Sequence, residues 1–251
     1  MSNLNRFVRF RTSSRTAYGL CDDLTFVSTS EIRELKGGLF DPPQYTGDIH
    51  PIPGTELLAP CQPRNIFAVG LNYKSHLGDR KAPEHPEIFL KPVSALQNPG
   101  CPIKTPRDSQ DMHFEGELVA VVGPGKTVFG VTCGNDVSDR NWQRGPAKDL
   151  QWWRAKGCDT FAPLGPAIVT GLDYGNLLLQ TRVNGETLQH QNTSDLIFSV
   201  ETIVEWISGW VTLHPGDLIY TGTPGNTRRM IPGDIVEVEI EGIGILRNPV
   251  E

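Results

Sequence analysis

The residues best suited to chemistry lie in the run His113-Phe114-Glu115-Gly116-Glu117-Leu118-Val119-Ala120-Val121-Val122. Two carboxylates two positions apart, at the mouth of an apolar strand, point to the same face. Like charges that close repel unless a cation sits between them. A divalent metal meets that need, and oxygen-only ligands favour Mg2+, Mn2+ or Ca2+ over zinc. An E-x-E alone is more often a solvated pair at a strand edge, so the pair needs a third ligand. Asp136, in Gly134-Asn135-Asp136-Val137-Ser138-Asp139-Arg140, follows the apolar run 128–133 directly. A hairpin between that run and 117–122 would return Asp136 to Glu115 and Glu117. Three carboxylates make half of an octahedral oxygen shell and leave positions for water and substrate.

Other candidates are weaker one by one. Lys156 sits among Trp152, Trp153 and Gly157; it reads either as a surface lysine or as a clamp on a substrate near the metal. His76 and Asp79 are three residues apart, so on a helical turn they face one another, and a histidine oriented by a carboxylate is a general base. Leu218-Ile219-Tyr220-Thr221-Gly222-Thr223-Pro224-Gly225 is a strand entering a tight turn, whose N–H groups and Thr hydroxyl suit a carboxylate. Neither G-x-x-x-x-G-K-[ST] nor G-x-S-x-G occurs, which argues against a nucleotide P-loop and a serine hydrolase.

Several elements must hold these groups. The compact apolar run 65–70 predicts a buried strand ending on Gly70, and 73–77 a short helix. Pro83, Pro86, Pro92 and Pro99 predict a long irregular excursion. Strands are expected at 117–122, 128–133 and 235–240. Leu196, Ile197, Val200, Ile203, Val204 and Ile207 recur with a 3.6-residue period, predicting a helix over 196–209 capped by Thr193 or Ser194. Short strands are expected at 6–10 and 24–27, and the texture changes near residue 58. The chain therefore divides into a small N-terminal domain, 1–58, and a catalytic domain, 59–251.

Composition agrees with a turn-rich β fold. There are 26 glycines and 20 prolines in 251 residues, about 18% against a usual share of about 12%. A formal net charge of −6 leaves no basic stripe for nucleic acid. No apolar run has the length of a signal peptide or a membrane span. Cys21, Cys61, Cys101, Cys133 and Cys158 are odd in number and never form C-x-x-C. They read as reduced thiols of a cytoplasmic protein rather than as a disulfide framework or a zinc site.

The order of the motifs carries more than any one of them. It runs N-Y-x-x-H, F-L-K-P, E-G-E-L, N-D-V-S-x-R-x-x-Q, K-x-x-D-T-x-x-P-x-G-P, V-N-G-E, P-G-D-x-I-x-T-G-T-P and P-G-D-x-V-x-V-x-I-x-G-I-G. From about Asn65 to Val250 this resembles the fumarylacetoacetate hydrolase family. The resemblance implies a mixed, β-rich fold with a rolled, barrel-like sheet, often preceded by a small N-terminal domain, and a homodimer. It implies Mg2+ or Mn2+ held by Glu115, Glu117 and Asp136. It further implies substrate contacts from Arg140, Gln143 and Thr223, a catalytic Lys156, and His76 as general base. Many members carry Glu where this chain has Asp79, one methylene shorter. The implied activity is on small 2-oxo or 2,4-dioxo acids: hydrolytic C–C cleavage of an acylpyruvate first, and isomerisation, tautomerisation or decarboxylation of a related 2-oxo diacid as the alternative.

Overall fold

The computed structural model describes residues 4–22 and 30–251; the strand expected at 24–27 lies outside them. Strands dominate, and the largest sheet has twelve. It starts with the antiparallel N-terminal strands Tyr45–Pro51, Glu31–Leu35, Thr16–Cys21 and Asn5–Arg11. It continues through Ala162–Thr170, Val128–Asn135, Gly116–Val122, Leu218–Tyr220, Ile66–Gly70 and Glu87–Lys91. Asn5–Arg11 pairs with Ala162–Thr170, so the N-terminal strands extend the main sheet. The sheet is open between its edge strands Tyr45–Pro51 and Glu87–Lys91; among the described residues no ladder closes the expected barrel.

Gly116–Val122 is buried along its whole length. Val119 and Val121 enter one hydrophobic cluster, with Phe114, Leu164, Ile168 and Tyr220. Leu118, Ala120 and Val122 enter the other, with Ile203 and Ile207 of a helix and Leu179 and Val238 of a second sheet. An uninterrupted apolar run is what a strand covered on both faces requires. The second sheet pairs Glu186–Asn192, Leu178–Val183, Ile235–Ile240 and Gly244–Pro249. Ile235–Ile240 alternates half-buried and buried residues, as its sequence alternates.

Two expectations give way to tertiary contacts. The helix spans Val200–Ser208, not 196–209, and its cap is Ser199, whose hydroxyl accepts from the Thr202 N–H at 3.2 Å. Thr193 is occupied elsewhere, accepting from the Leu177 N–H at 2.8 Å. The apolar residues 196–198 are instead held non-helical against Asn72: Leu196 bridges Tyr73, the Ile197 N–H donates to the Asn72 carbonyl and the Phe198 N–H to the Asn72 side chain. The proline-rich excursion contains a strand, Glu87–Lys91, between Pro86 and Pro92. It is an edge strand, where flanking prolines cost no ladder hydrogen bond.

Candidate active site

The hairpin Gly116–Val122/Val128–Asn135 sets the carboxylates. Gly116 faces Asn135 and Glu117 faces Gly134, so the chain leaves the ladder with Asp136 opposite Glu115. The Asp136 N–H donates to the Glu115 carbonyl at 2.8 Å, and the Asn135 side chain accepts from the Glu115 N–H at 2.9 Å. One carboxylate oxygen from each of Glu115, Glu117 and Asp136 lies within 4.8 Å of the others. All three side chains are buried. Gly116 between the glutamates is sterically required, since a Cβ there would stand 1.9 Å from Thr181 Oγ1 of the second sheet.

Two lysines and an arginine balance this charge unevenly. Lys156, from the short helix Trp152–Gly157, donates to Glu115 and, at 2.6 Å, to Asp136. Arg140 donates to the other oxygen of Glu115. Burial alone would raise the Glu115 pKa, but the Arg140 and Lys156 charges outweigh it and hold this carboxyl well below the usual range. Burial works against the Lys156 ammonium, yet Asp136 and Glu115 raise its pKa overall.

Glu117 has no such support. Among the described residues it accepts a single hydrogen bond, from the Gly222 N–H at 2.7 Å. Burial first, then the like charges of Asp136 and Glu115, push its pKa well above the carboxylate range. The Lys156 charge offsets this only in part, and among the described residues Glu117 has no ion-pair partner; a buried carboxylate left so is costly. A hard divalent cation bridging Glu117 to Glu115 and Asp136 would meet that deficit, so the donor set fits the expected metal. Gly222 is itself constrained: its φ is +105°, and a Cβ would come within 2.9 Å of Asn72.

The site opens into a cavity of about 260 Å3 lined by the remaining candidates His76, Arg140, Gln143, Lys156 and Thr223. That is below the ~300 Å3 at which ordinary ligand pockets begin, so the cavity suits a small acid. Arg140 and Gln143 share one helical turn, Arg140–Gln143, capped by Asp139, whose side chain accepts from the Trp142 N–H. The arginine donates to the Gln143 side-chain oxygen at 2.6 Å, while its buried Nε has no partner. Thr223 is less free than expected. Its hydroxyl donates to the Gly116 carbonyl at 2.9 Å and accepts from Gln189 at 2.8 Å, so it must release Gly116 to donate to a substrate.

His76 and Asp79 do not face one another. The helix spans only Lys74–Leu77 and stops at Gly78, whose φ of +58° turns the chain away. Asp79 is exposed and outside the cavity lining. His76 Nδ1 is instead hydrogen-bonded to the Gly225 carbonyl. Since a carbonyl only accepts, Nδ1 carries the proton and Nε2 keeps its lone pair. Burial lowers the His76 pKa, outweighing that hydrogen bond.

Sequence reasoning assigned no role to Lys91, the lysine of F-L-K-P. It is buried and donates to Asp136 and to the Lys156 carbonyl, tying the end of Glu87–Lys91 to the helix that carries Lys156. Its signal was a lone lysine ending a strand between prolines. Arg80 and Arg144, which also line the cavity, had no motif at all.

Comparison with known proteins agrees with this geometry. Residues 5–60 match the Rv2993c-like N-terminal family, and residues 65–251 match the Fumarylacetoacetate (FAA) hydrolase C-terminal family. The chain is 42% identical to Protein Rv2993c of Mycobacterium tuberculosis, over 98% of this chain and 97% of that one. It is 40% identical to the mitochondrial oxaloacetate tautomerase fahd2 of Xenopus laevis, over 77% of this chain and 68% of that protein. The crystal structure of 5-carboxymethyl-2-hydroxymuconate delta-isomerase from Mycobacterium smegmatis superposes with a TM-score of 0.89, at 40% identity and 98% coverage of both chains. With one profile spanning most of its length and a buried Glu-Glu-Asp cluster at the end of its central hairpin, the chain belongs to the fumarylacetoacetate hydrolase family of enzymes.

Proposed function

We propose that the protein is a Mg2+- or Mn2+-dependent enzyme that moves a proton at the carbon next to the keto group of a small 2-oxo acid, as a tautomerase or isomerase. The observation that carries this reading is Glu117, a buried carboxylate with no ion-pair partner among the described residues, beside Glu115 and Asp136 at a small cavity. When bound there, a divalent cation supplies positive charge for the oxygen on which negative charge develops. The Lys156 ammonium, fixed by Glu115 and Asp136, adds to that field from a preorganised position. His76, neutral because burial lowers its pKa, offers Nε2 to take the proton and to return it at the other end of the keto–enol system. Arg140 and Gln143 hold the acid against the metal-binding wall.

The second reading is hydrolytic C–C cleavage of an acylpyruvate, in which His76 activates water. Relatives named as an isomerase and a tautomerase support proton transfer. Proton NMR of oxaloacetate with Mg2+-loaded protein should show accelerated keto–enol exchange with no loss of carbon. Pyruvate release from acylpyruvates without such exchange would reverse the order of the two readings. The protein is also proposed to be a homodimer, because exposed Leu90, Trp210 and Val211 leave an apolar face beside the edge strand Glu87–Lys91.

A further inference from the structure

We infer that Gln189, from the second sheet, is a positioning residue of this site: its side-chain amide fixes the Thr223 hydroxyl oxygen at the place where a substrate carboxylate meets it. This rests on the reading of the cavity as a 2-oxo acid site with Thr223 on its wall. Gln189 is the one buried residue of the strand Glu186–Asn192, whose other residues are exposed or half-buried. A leucine or methionine would fill such a position, whereas a buried amide has to be answered by hydrogen bonds. All of its partners are parts of the active site. Its Nε2 lies 2.8 Å from Thr223 Oγ1 and 2.6 Å from the Pro224 carbonyl, and its Oε1 lies 3.2 Å from the Gly116 nitrogen.

The chemistry of these partners fixes how the amide is turned. The Pro224 carbonyl can only accept and the Gly116 N–H can only donate, so the NH2 end faces Thr223 and the oxygen faces Gly116. Thr223 Oγ1 therefore accepts from Gln189, and its own hydrogen goes to the Gly116 carbonyl, 2.9 Å away. To serve a substrate carboxylate, that hydrogen swings about the Cβ–Oγ1 bond. The oxygen stays in place, held by Gln189, and accepting this bond makes the hydroxyl a stronger donor. Without the amide, the oxygen would lose the one partner that survives the swing, and the side chain could take another rotamer. The same amide closes on Gly116 between the two glutamates, and on Pro224 beside the Gly225 carbonyl that receives His76.

The test is calorimetric titration of the Mg2+-loaded full chain with oxalate, in a double-mutant cycle of Gln189→Met and Thr223→Val. Each substitution keeps the shape of the side chain and removes its polar atoms. Thr223→Val is expected to weaken oxalate binding about 10-fold or more, and Gln189→Met about 3–10-fold. Added to Thr223→Val, Gln189→Met should cost nothing further, because its effect runs through the hydroxyl. Mg2+ affinity measured without oxalate should change less in Gln189→Met than oxalate affinity does. Unchanged oxalate affinity in either single variant, additive losses in the double variant, or an Mg2+ loss as large as the oxalate loss would each overturn the proposal while leaving the 2-oxo acid reading intact. Should Gln189→Met not fold, a crystal structure of the wild-type Mg2+–oxalate complex decides. Thr223 Oγ1 within hydrogen-bond distance of both oxalate and Gln189 Nε2 supports the proposal, and an oxygen that has left Gln189 overturns it. Failure of oxalate to bind the wild type would overturn both.

Discussion

Glu117 and His76 divide the work of the site, and each answers a different measurement. Glu117→Ala leaves two carboxylates, both already neutralised by Lys156 and Arg140. Titration calorimetry should detect no Mg2+ binding by this variant, and turnover should vanish with it. His76→Ala removes the base but no metal ligand; it should keep Mg2+ affinity and slow proton transfer about 10²–10⁴-fold. In the proposed mechanism the neutral imidazole is the working form. Because burial lowers its pKa, the acid limb of the wild-type kcat/KM profile should fall below the ordinary histidine value near 6.5. That limb should be missing in His76→Ala. Asp79→Asn should change the rate little, since Asp79 is exposed and lies outside the cavity lining. A large loss there would restore the histidine–carboxylate dyad that the sequence suggested.

At the scale of elements, the site is the end of a hairpin clamped from three sides. The second sheet closes on Gly116 through Thr181 and Gln189, and the Gly116 N–H donates to Gln189 Oε1 at 3.2 Å. The turn after Leu218–Tyr220 supplies the Gly222 N–H to Glu117. Asn72 ties that turn to the His76 segment, its side chain donating to the Thr221 carbonyl at 2.7 Å and the Phe198 carbonyl at 3.2 Å. Gly116→Ala should force Thr181 to shift, destabilising the fold by about 1–3 kcal/mol and displacing both glutamates. Denaturant unfolding and Mg2+ affinity should therefore fall together. The strand pattern here is legible because 118–122 and 128–133 are mostly buried and hence largely apolar. The residues 196–198 mislead because they are apolar and in helical phase, but hydrogen bonds to Asn72 hold them outside the helix.

At the scale of the whole molecule, the N-terminal strands carry a buried charge of their own. Glu34 lies between Arg15 and His50, the latter at 2.8 Å. Burial would raise its pKa, but the hydrogen bonds from Arg15 and His50 prevail and lower it. A carboxyl lowered on folding contributes stability that is complete above its unfolded value, near 4.3, and is lost as pH falls through the folded value. Thermal unfolding followed from pH 6 to pH 3 should therefore show an acid-side loss that Glu34→Gln reduces. The dimer expectation belongs to this scale as well. Light scattering on the purified chain should give twice 27.7 kDa, and Trp210→Glu should shift it towards the monomer.

The sequence by itself determined the carboxylate cluster. Glu115 and Glu117 share a strand face, and Asp136 returns through a short hairpin connection, 123–127, so local periodicity and one hairpin suffice to bring them together. Tertiary structure alone decided which charges answer those carboxylates. Lys91 and Lys156 reach Asp136 from segments 45 and 20 residues away, and Arg80 and Arg144 line the same cavity from separate segments. Their roles come from distant backbone paths crossing at one cavity, where burial amplifies every charge left unpaired.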